Sequence, residues 1–196
     1  MDRCLRVLFT PVAVLAALCP CYGQDVLPEQ DDASLRSVFF TTATNGCAVG
    51  ERGVIWRTQD GGLNWSLVPS PVVGLHDYVT FVNGRTGWIV GSRTMPQNGI
   101  PLGYVLRTED GGATWRLVAG RPTQQEQGGL TYLPRLRAVR FFTPKLGFGV
   151  GDSNDHYPAG IMKTTDGGET WAALKGEPSS WQCAWFMNPE LSLIHI

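Results

Sequence analysis

The sequence predicts an all-β fold made of repeated four-stranded antiparallel units. An eight-residue segment occurs three times, as Thr58–Trp65, Thr108–Trp115 and Thr164–Trp171, and is called here the repeat turn. A phenylalanine followed six residues later by a glycine precedes each copy. The chain also has 24 glycines and 13 prolines among 196 residues, a composition that suits short strands joined by turns.

The repeat turn has the pattern Thr-x-Asp-Gly-Gly-x-(Thr/Asn)-Trp and lies between two apolar runs. This arrangement predicts a β-hairpin, because the glycines can take positive φ and the Thr and Asp side chains can bond the backbone of the turn. The tryptophan can fold back as an apolar plug. The residues with this structural role are Thr58, Asp60, Gly62, Trp65, Thr108, Asp110, Gly112, Trp115, Thr164, Asp166, Gly168 and Trp171.

The repeated unit reads as strand, turn, strand, loop, strand, repeat turn, strand, which is the order of one β-propeller blade. The first strands are predicted at Leu35–Phe40, Asp77–Val82 and Leu136–Phe142, and the blades at about 35–72, 73–121 and 135–177. A fourth unit, 181–196, is incomplete and has Ser192 where glycine is expected. Because three blades and a fraction cannot close a ring and hide its edge strands, we expect the sequence to be part of a longer protein.

The Phe-x(5)-Gly-(Trp/Phe)-x-Val-Gly pattern followed by the repeat turn resembles the Asp-box, or BNR repeat, of photosystem II stability and assembly factor-like exported propellers, a WD40/YVTN/BNR-like group. The resemblance covers Leu35 to about Pro189. It implies a ring of about seven blades, a structural role for the Asp-box, binding of a protein partner, and neither a catalytic centre nor a cofactor.

Other Asp-box families are enzymes that process glycans, such as sialidases and some endo-glucanases. Sialidases carry an Arg-Ile-Pro motif in the first blade, and none of Arg36, Arg52 and Arg57 is followed by Ile-Pro. The alternative of a secreted glycan-binding or glycoside-hydrolase propeller, with its catalytic groups in further blades, nevertheless stays open. A non-enzymatic protein-binding module is the favoured hypothesis.

The connections of variable length predict where a binding surface lies. In a blade of four strands, the two turns of constant length share one face and the two variable connections share the opposite face, which in repeat proteins is often the binding face. We therefore expect Ser92–Gly103, Gly120–Pro134 and Asp152–Gly160 to lie together.

Two sets of residues on this variable face are candidates for binding. Three arginines could form a basic patch for an acidic protein partner, or could simply be solvated loop charges. A second, polar set, Asp152, Asp155 and His156, could bind a sugar or a metal or supply a carboxylate pair for glycoside hydrolysis. The alternative is an Asx-rich turn, which predicts no metal. The candidates are Arg121, Arg135, Arg137, Asp152, Asp155 and His156.

The N-terminal segment Met1–Gly23 predicts a secretory signal peptide. Arg3 and Arg6 precede an apolar run, Val7–Leu18, and small residues stand before a cleavage site at Gln24. We expect residues 24–34 to form a linker. The protein is expected in the periplasm or outside the cell, without a membrane span after cleavage.

The net charge and the cysteine positions bear on the class of partner, on the N-terminal segment and on disulfide formation. The net charge of −1 does not favour a nucleic-acid partner. The alternatives to a secretory signal peptide are an uncleaved membrane anchor and a lipoprotein modified at Cys19. Cys47 and Cys183 fall in different phases of different repeats, so we do not expect a disulfide between them.

Overall fold

The computed structural model describes residues 32–95, 99–121, 123–124, 130–188 and 193–194. The predicted signal peptide and most of the predicted linker lie outside these residues. Within them, no helix has the length and apolar character needed to cross a membrane. The helical structure in this part of the chain is a short 3-10 turn, Glu51–Gly53.

Three four-stranded antiparallel sheets follow one another along the chain, each with its strands in sequence order. The predicted all-β fold with four-stranded blades is therefore confirmed. The first blade has β1 (Leu35–Phe40), β2 (Gly46–Gly50), β3 (Ile55–Thr58) and β4 (Ser66–Leu67). The second has β5 (Leu75–Phe81), β6 (Gly87–Thr94), β7 (Pro101–Thr108) and β8 (Arg116–Ala119). The third has β11 (Leu136–Phe141), β12 (Gly147–Gly151), β13 (Ile161–Thr164) and β14 (Ala172–Ala173).

Two shorter hairpins complete the described strands. β9 (Thr123–Gln124) pairs with β10 (Leu130–Thr131) in the connection between the second and third blades. β15 (Trp185–Phe186) pairs with β16 (Leu193–Ile194) after the third blade, within the unit predicted at 181–196.

One predicted loop is partly strand. The sequence pattern led us to expect a loop over Ser92–Gly103, but Ser92–Thr94 continues β6 and pairs with Pro101–Gly103 of β7. This expectation was wrong at both ends of the loop. The longer hairpin buries Leu102, and burial of such an apolar side chain favours continuing the strands beyond the length of the shorter repeats.

Aromatic side chains join each blade to the next. Phe81 lies 5.7 Å from Phe39 of the first blade, centroid to centroid. At the same repeat position in the third blade, Phe141 stacks on Trp88 at 3.5 Å. Phe186 of β15 stacks in turn against Phe148 at 5.5 Å. The phenylalanines that mark the repeat in the sequence thus form the hydrophobic contacts between neighbouring sheets.

The three repeat turns share one set of hydrogen bonds. In each, the threonine hydroxyl donates to the aspartate at 2.7–2.8 Å and accepts the N–H of the second glycine at 2.9–3.0 Å. The aspartate also accepts the backbone N–H of the residue before the tryptophan at 2.9–3.0 Å. Both glycines of every copy have positive φ, between 72° and 95°, which explains why glycine is needed there.

The repeat turns lie at one end of the molecule, against the turns between the first two strands of each blade. Gly61 donates its N–H to Thr44, Gly111 to Arg85, and Gly167 to Lys145, each at 2.9 Å. The turns of constant length therefore build one face, called here the constant face.

Candidate functional site

The longer connections meet at the opposite end of the molecule, called here the variable face. The N–H of Gly103, in the second-blade hairpin, donates to the carbonyl of Leu133 at 2.8 Å. The side-chain amide of Asn154, in the third-blade loop, donates to the carbonyl of Tyr132 at 3.3 Å. The connection that carries Tyr132 and Leu133 is thus held between its two neighbours.

A groove of about 410 Å³ runs between the outer strand of the second blade and the third blade, and is called here the interblade groove. One wall is residues 117–121, and the other carries the rings of Tyr132, Tyr157 and Trp171. The Tyr157 hydroxyl donates to the Trp171 carbonyl at 3.1 Å and fixes the aromatic wall. Arg121 lines the groove toward the variable face and Glu169 toward the constant face.

The length of the connection between blades explains why the groove opens at this junction. Between the first and second blades the chain passes directly from β4 to β5, and Val68 and Val72 on this connection are buried. Tyr132 stands nine residues before Phe141, as Val72 stands nine before Phe81. The longer second connection thus places a half-exposed aromatic side chain where the first junction has a buried valine.

The polar cluster predicted from the sequence lies beside the groove. Tyr132 also borders a recess of about 170 Å³ with Asn154, Asp155 and His156. The Asn154 side-chain oxygen accepts the N–H of His156 at 3.0 Å and that of Tyr157 at 2.9 Å. The segment therefore has the geometry of an Asx turn. No cluster of three or more metal-ligating side chains occurs among the residues that the structure describes.

The structure separates the three candidate arginines. Arg135 makes two hydrogen bonds to Asp77, the one from Nε at 2.8 Å, and the Asp77 side chain is only 9% exposed. Arg137 donates to Asp152 at 3.0 Å. Arg121 is exposed at the interblade groove. Two of the three arginines are thus ion-paired with carboxylates. Of the six candidate residues, Arg121, Asp155 and His156 border the cavities described above.

Sequence reasoning missed Asp77, although the repeats contain a signal for it. Arg36, Asp77 and Arg137 occupy the same position in the three first strands. Arg36 pairs with Glu51 at 3.0 Å, much as Arg137 pairs with Asp152 within its own blade. In the second blade the charge is reversed, and Asp77 pairs instead with Arg135 of the next blade. A carboxylate at an otherwise basic repeat position therefore indicates an ion pair between blades.

The buried His76 links the connection between the first and second blades to β7 through its hydrogen-bond partners. His76 is fully buried, with Nδ1 2.7 Å from the Tyr104 hydroxyl and Nε2 3.2 Å from the Ser70 hydroxyl. Burial lowers the pKa of His76 to about 4, and a hydrogen bond to the Gly53 backbone opposes this shift. Burial also raises the pKa of Tyr104. The imidazole is therefore neutral at neutral pH and serves as a packing and hydrogen-bonding group.

No protein-family model matches the chain, and no curated protein does. A solved structure described as YCF48 bound to a D1 peptide is similar over 78% of this chain and 44% of that chain, with 20% identity and a TM-score of 0.54. YCF48 from Cyanidioschyzon merolae is similar over 72% of this chain and 37% of that chain, with 23% identity and a TM-score of 0.49.

The fold of this chain is that of a β-propeller. At 20% identity the similarity to YCF48 shows the fold alone. The chain also spans less than half the length of the solved structures that it matches. A shared fold does not determine function, which depends on the residues of the site.

Proposed function

We propose that the chain is an exported, non-enzymatic binding module of the assembly-factor type, which holds an extended segment of a partner protein in the interblade groove. The observation that carries the proposal is the groove itself. Its volume of about 410 Å³ lies within the range of ligand sites, and its walls combine apolar strand residues with three aromatic side chains. Aromatic and arginine side chains are the residues that most often dominate binding energy at protein interfaces.

The framework of the groove favours a ligand that adapts to the protein. One wall is formed by β8 and the residues that follow it, and the aromatic wall is fixed by the hydrogen bond from the Tyr157 hydroxyl to the Trp171 carbonyl. Little ordering of the binding surface is then required when a segment enters, which preserves affinity. The YCF48 structure is described as bound to a D1 peptide, so a propeller of similar fold takes a peptide ligand.

The charges of the variable face favour a protein ligand over a glycan substrate. Hydrolysis of a glycosidic bond requires two carboxyl groups that flank the bond. Asp77 and Asp152 are both held by arginines, and Asp155 lies in an exposed turn. Within the described residues, the carboxylates of this face are thus engaged in the fold or dispersed.

The proposal is tested with an array of peptides of about twelve residues, long enough for one extended segment. The array covers the exported proteins of the source organism and the D1 protein, and an oligosaccharide array is probed in parallel. Binding of selected peptides is then measured by fluorescence anisotropy for the unsubstituted chain, Tyr132→Ala and Arg121→Glu. Lys145→Glu, an equal charge reversal at an exposed site on the constant face, is the matched control.

We expect peptide binding that weakens about tenfold or more in both groove variants, as for central interface residues. The Lys145→Glu control should bind like the unsubstituted chain. Equal binding by all four proteins would place the ligand elsewhere and contradict the proposal. Capture of oligosaccharides without peptides would favour the glycan-binding alternative.

A further inference from the structure

Within the described part of the chain, no strand pairs with the outer edge of β8, which lies at the interblade groove. The strand order of this sheet is β5-β6-β7-β8, so β8 is an edge strand with β7 as its neighbour. Its ladder pairs Arg116 with Arg107 and Leu117 with Leu106. Residues 117–119 of the same strand line the groove. An edge strand carries backbone N–H and C=O groups that can pair with another chain.

This edge is longer than its counterparts in the neighbouring blades. β8 has four residues, whereas β4 and β14 have two each. Four residues of strand extend over roughly 13 Å, enough for several rungs of a ladder. Among the three described blades, the longest outer strand is therefore the one that lies at the groove.

The side chains around the edge define the chemistry of a complementary strand. Tyr157 and Trp171 provide an apolar and aromatic surface across the groove from β8. Arg121 follows β8 at the variable-face end and is exposed. At the other end Glu169 lies 3.6 Å from Arg116, so the charges there are already paired. An acidic side chain beside Arg121 would thus find the complementary charge.

Resting on the proposed function, we propose that the partner segment binds by strand addition. It pairs with the free edge of β8 as a fifth strand, sets an apolar side chain against Tyr157 and Trp171, and places a carboxylate beside Arg121. Main-chain hydrogen bonds supply affinity in this mode, and alternate side chains supply specificity. The ligand is therefore an extended, alternately apolar segment with an acidic residue at one end.

The test uses a synthetic peptide of about ten residues that alternates valine and threonine and ends in aspartate, as strand addition requires. Two further versions carry N-methyl groups on either the odd or the even central amides. In a strand only every second amide faces the partner strand. We therefore expect one methylated version to bind about tenfold or more weakly than the parent peptide, and the other to bind within about twofold.

A charge exchange tests the acidic position separately. Replacing the terminal aspartate by lysine should weaken binding to the unsubstituted chain and restore it in Arg121→Glu, because the ion pair is then re-formed with reversed signs. Hydrogen exchange at residues 117–119 should slow when the parent peptide binds.

The outcomes separate strand addition from the proposed function. Strand addition would be overturned if both methylated peptides bound with equal affinity. It would also be overturned if the parent peptide did not bind while array peptides still bound through Tyr132. Either result would leave the proposed function intact. If neither the parent peptide nor any array peptide bound, both proposals would be wrong.

Discussion

At the scale of single residues, the aspartate of the repeat turn satisfies several donors at once. Asp110 accepts the Thr108 hydroxyl at 2.7 Å and the Thr114 N–H at 2.9 Å. Burial raises the pKa of Asp110, but the bonds from Thr114 and Thr108 outweigh it and bring the pKa to about 2. A carboxylate whose pKa is lowered in this way stabilises the folded state while it is ionised.

Asp110→Ala is expected to lower the free energy of unfolding by about 1 kcal/mol, since the exposed carboxylate competes with water for its partners. Asp110→Asn should cost less, because an amide oxygen can still accept the two bonds. Denaturant titration measures both variants, with Glu177→Ala at an exposed site as the control. Unchanged stability of Asp110→Ala together with lost peptide binding would contradict the structural role.

The buried His76 predicts an acid-sensitive step in stability. Its pKa is about 4 in the fold and 6.5 in the reference state, so the unfolded chain binds the proton more readily between these values. The contribution of neutral His76 to the free energy of unfolding is complete above pH 6.5 and is lost as the pH falls through 4. The difference corresponds to about 3 kcal/mol.

His76→Gln should remove this pH dependence, although the variant will be less stable at neutral pH. Unfolding free energies measured at intervals from pH 6.5 to 4 should fall for the unsubstituted chain and stay nearly level for the variant. Asp60 and Asp110, with pKa values of about 2 against 3.8, act only at lower pH. Identical slopes for the two proteins between pH 6.5 and 4 would contradict the assignment to His76.

At the scale of elements, the repeat turns also join neighbouring blades. Arg57 Nε donates to the carbonyl of Gly111 at 3.1 Å, and Trp88 Nε1 to that of Gly167 at 2.7 Å. Each bond runs from a strand of one blade to the repeat turn of the next. The repeat turn thus closes its own hairpin, and its carbonyl groups accept hydrogen bonds from side chains of the preceding blade.

Trp88→Phe tests the contribution of this link between blades. The ring stack on Phe141 can be kept by phenylalanine, but the Gly167 carbonyl loses its donor, so we expect a loss of about 1–3 kcal/mol in unfolding free energy. Trp115→Phe is the matched control, because the buried Trp115 Nε1 has no hydrogen-bond partner in the described part of the chain. Differential scanning calorimetry should therefore show the larger loss for Trp88→Phe. The reverse order would contradict a stabilising role for the link.

The sequence allowed most elements to be predicted, because the phenylalanines, glycines and repeat turns each specify a local structure. The first strands were predicted within two residues of β1, β5 and β11. The extension of β6 and β7 could not be read from the repeat, because it depends on burying Leu102 in this blade alone. The pairing of Arg135 with Asp77 was missed since it forms between blades, where residue spacing gives no guidance.

At the scale of the whole molecule, the two faces differ in the connections that they carry. The constant face contains the hydrogen-bonded turns, whose lengths are the same in each blade. The variable face contains the longer connections, which border the interblade groove and the recess. The groove was not predictable in detail, because its second wall depends on how the connection through Tyr132 packs against the third blade.

The exposed apolar side chains of β1 in the first blade lead us to expect self-association. Val38 is 57% exposed and Phe40 43%, whereas the equivalent Val79 and Phe81, which pack against the preceding blade, are 1% and 8% exposed. Contiguous apolar surface of this kind promotes association between molecules. We therefore expect the molar mass from light scattering after size-exclusion chromatography to rise with protein concentration.

Val38→Lys should shift the chain toward the monomer, because a lysine on this strand opposes packing against a second apolar surface. The substitution leaves Phe40 in contact with Trp65, so the first blade keeps its internal packing. Leu63→Lys is the control, since Leu63 is 84% exposed in a repeat turn on the constant face. If association is unchanged in Val38→Lys and abolished in Leu63→Lys, the contact between molecules lies on the constant face. If the unsubstituted chain is a monomer at every concentration, self-association through the first blade is excluded.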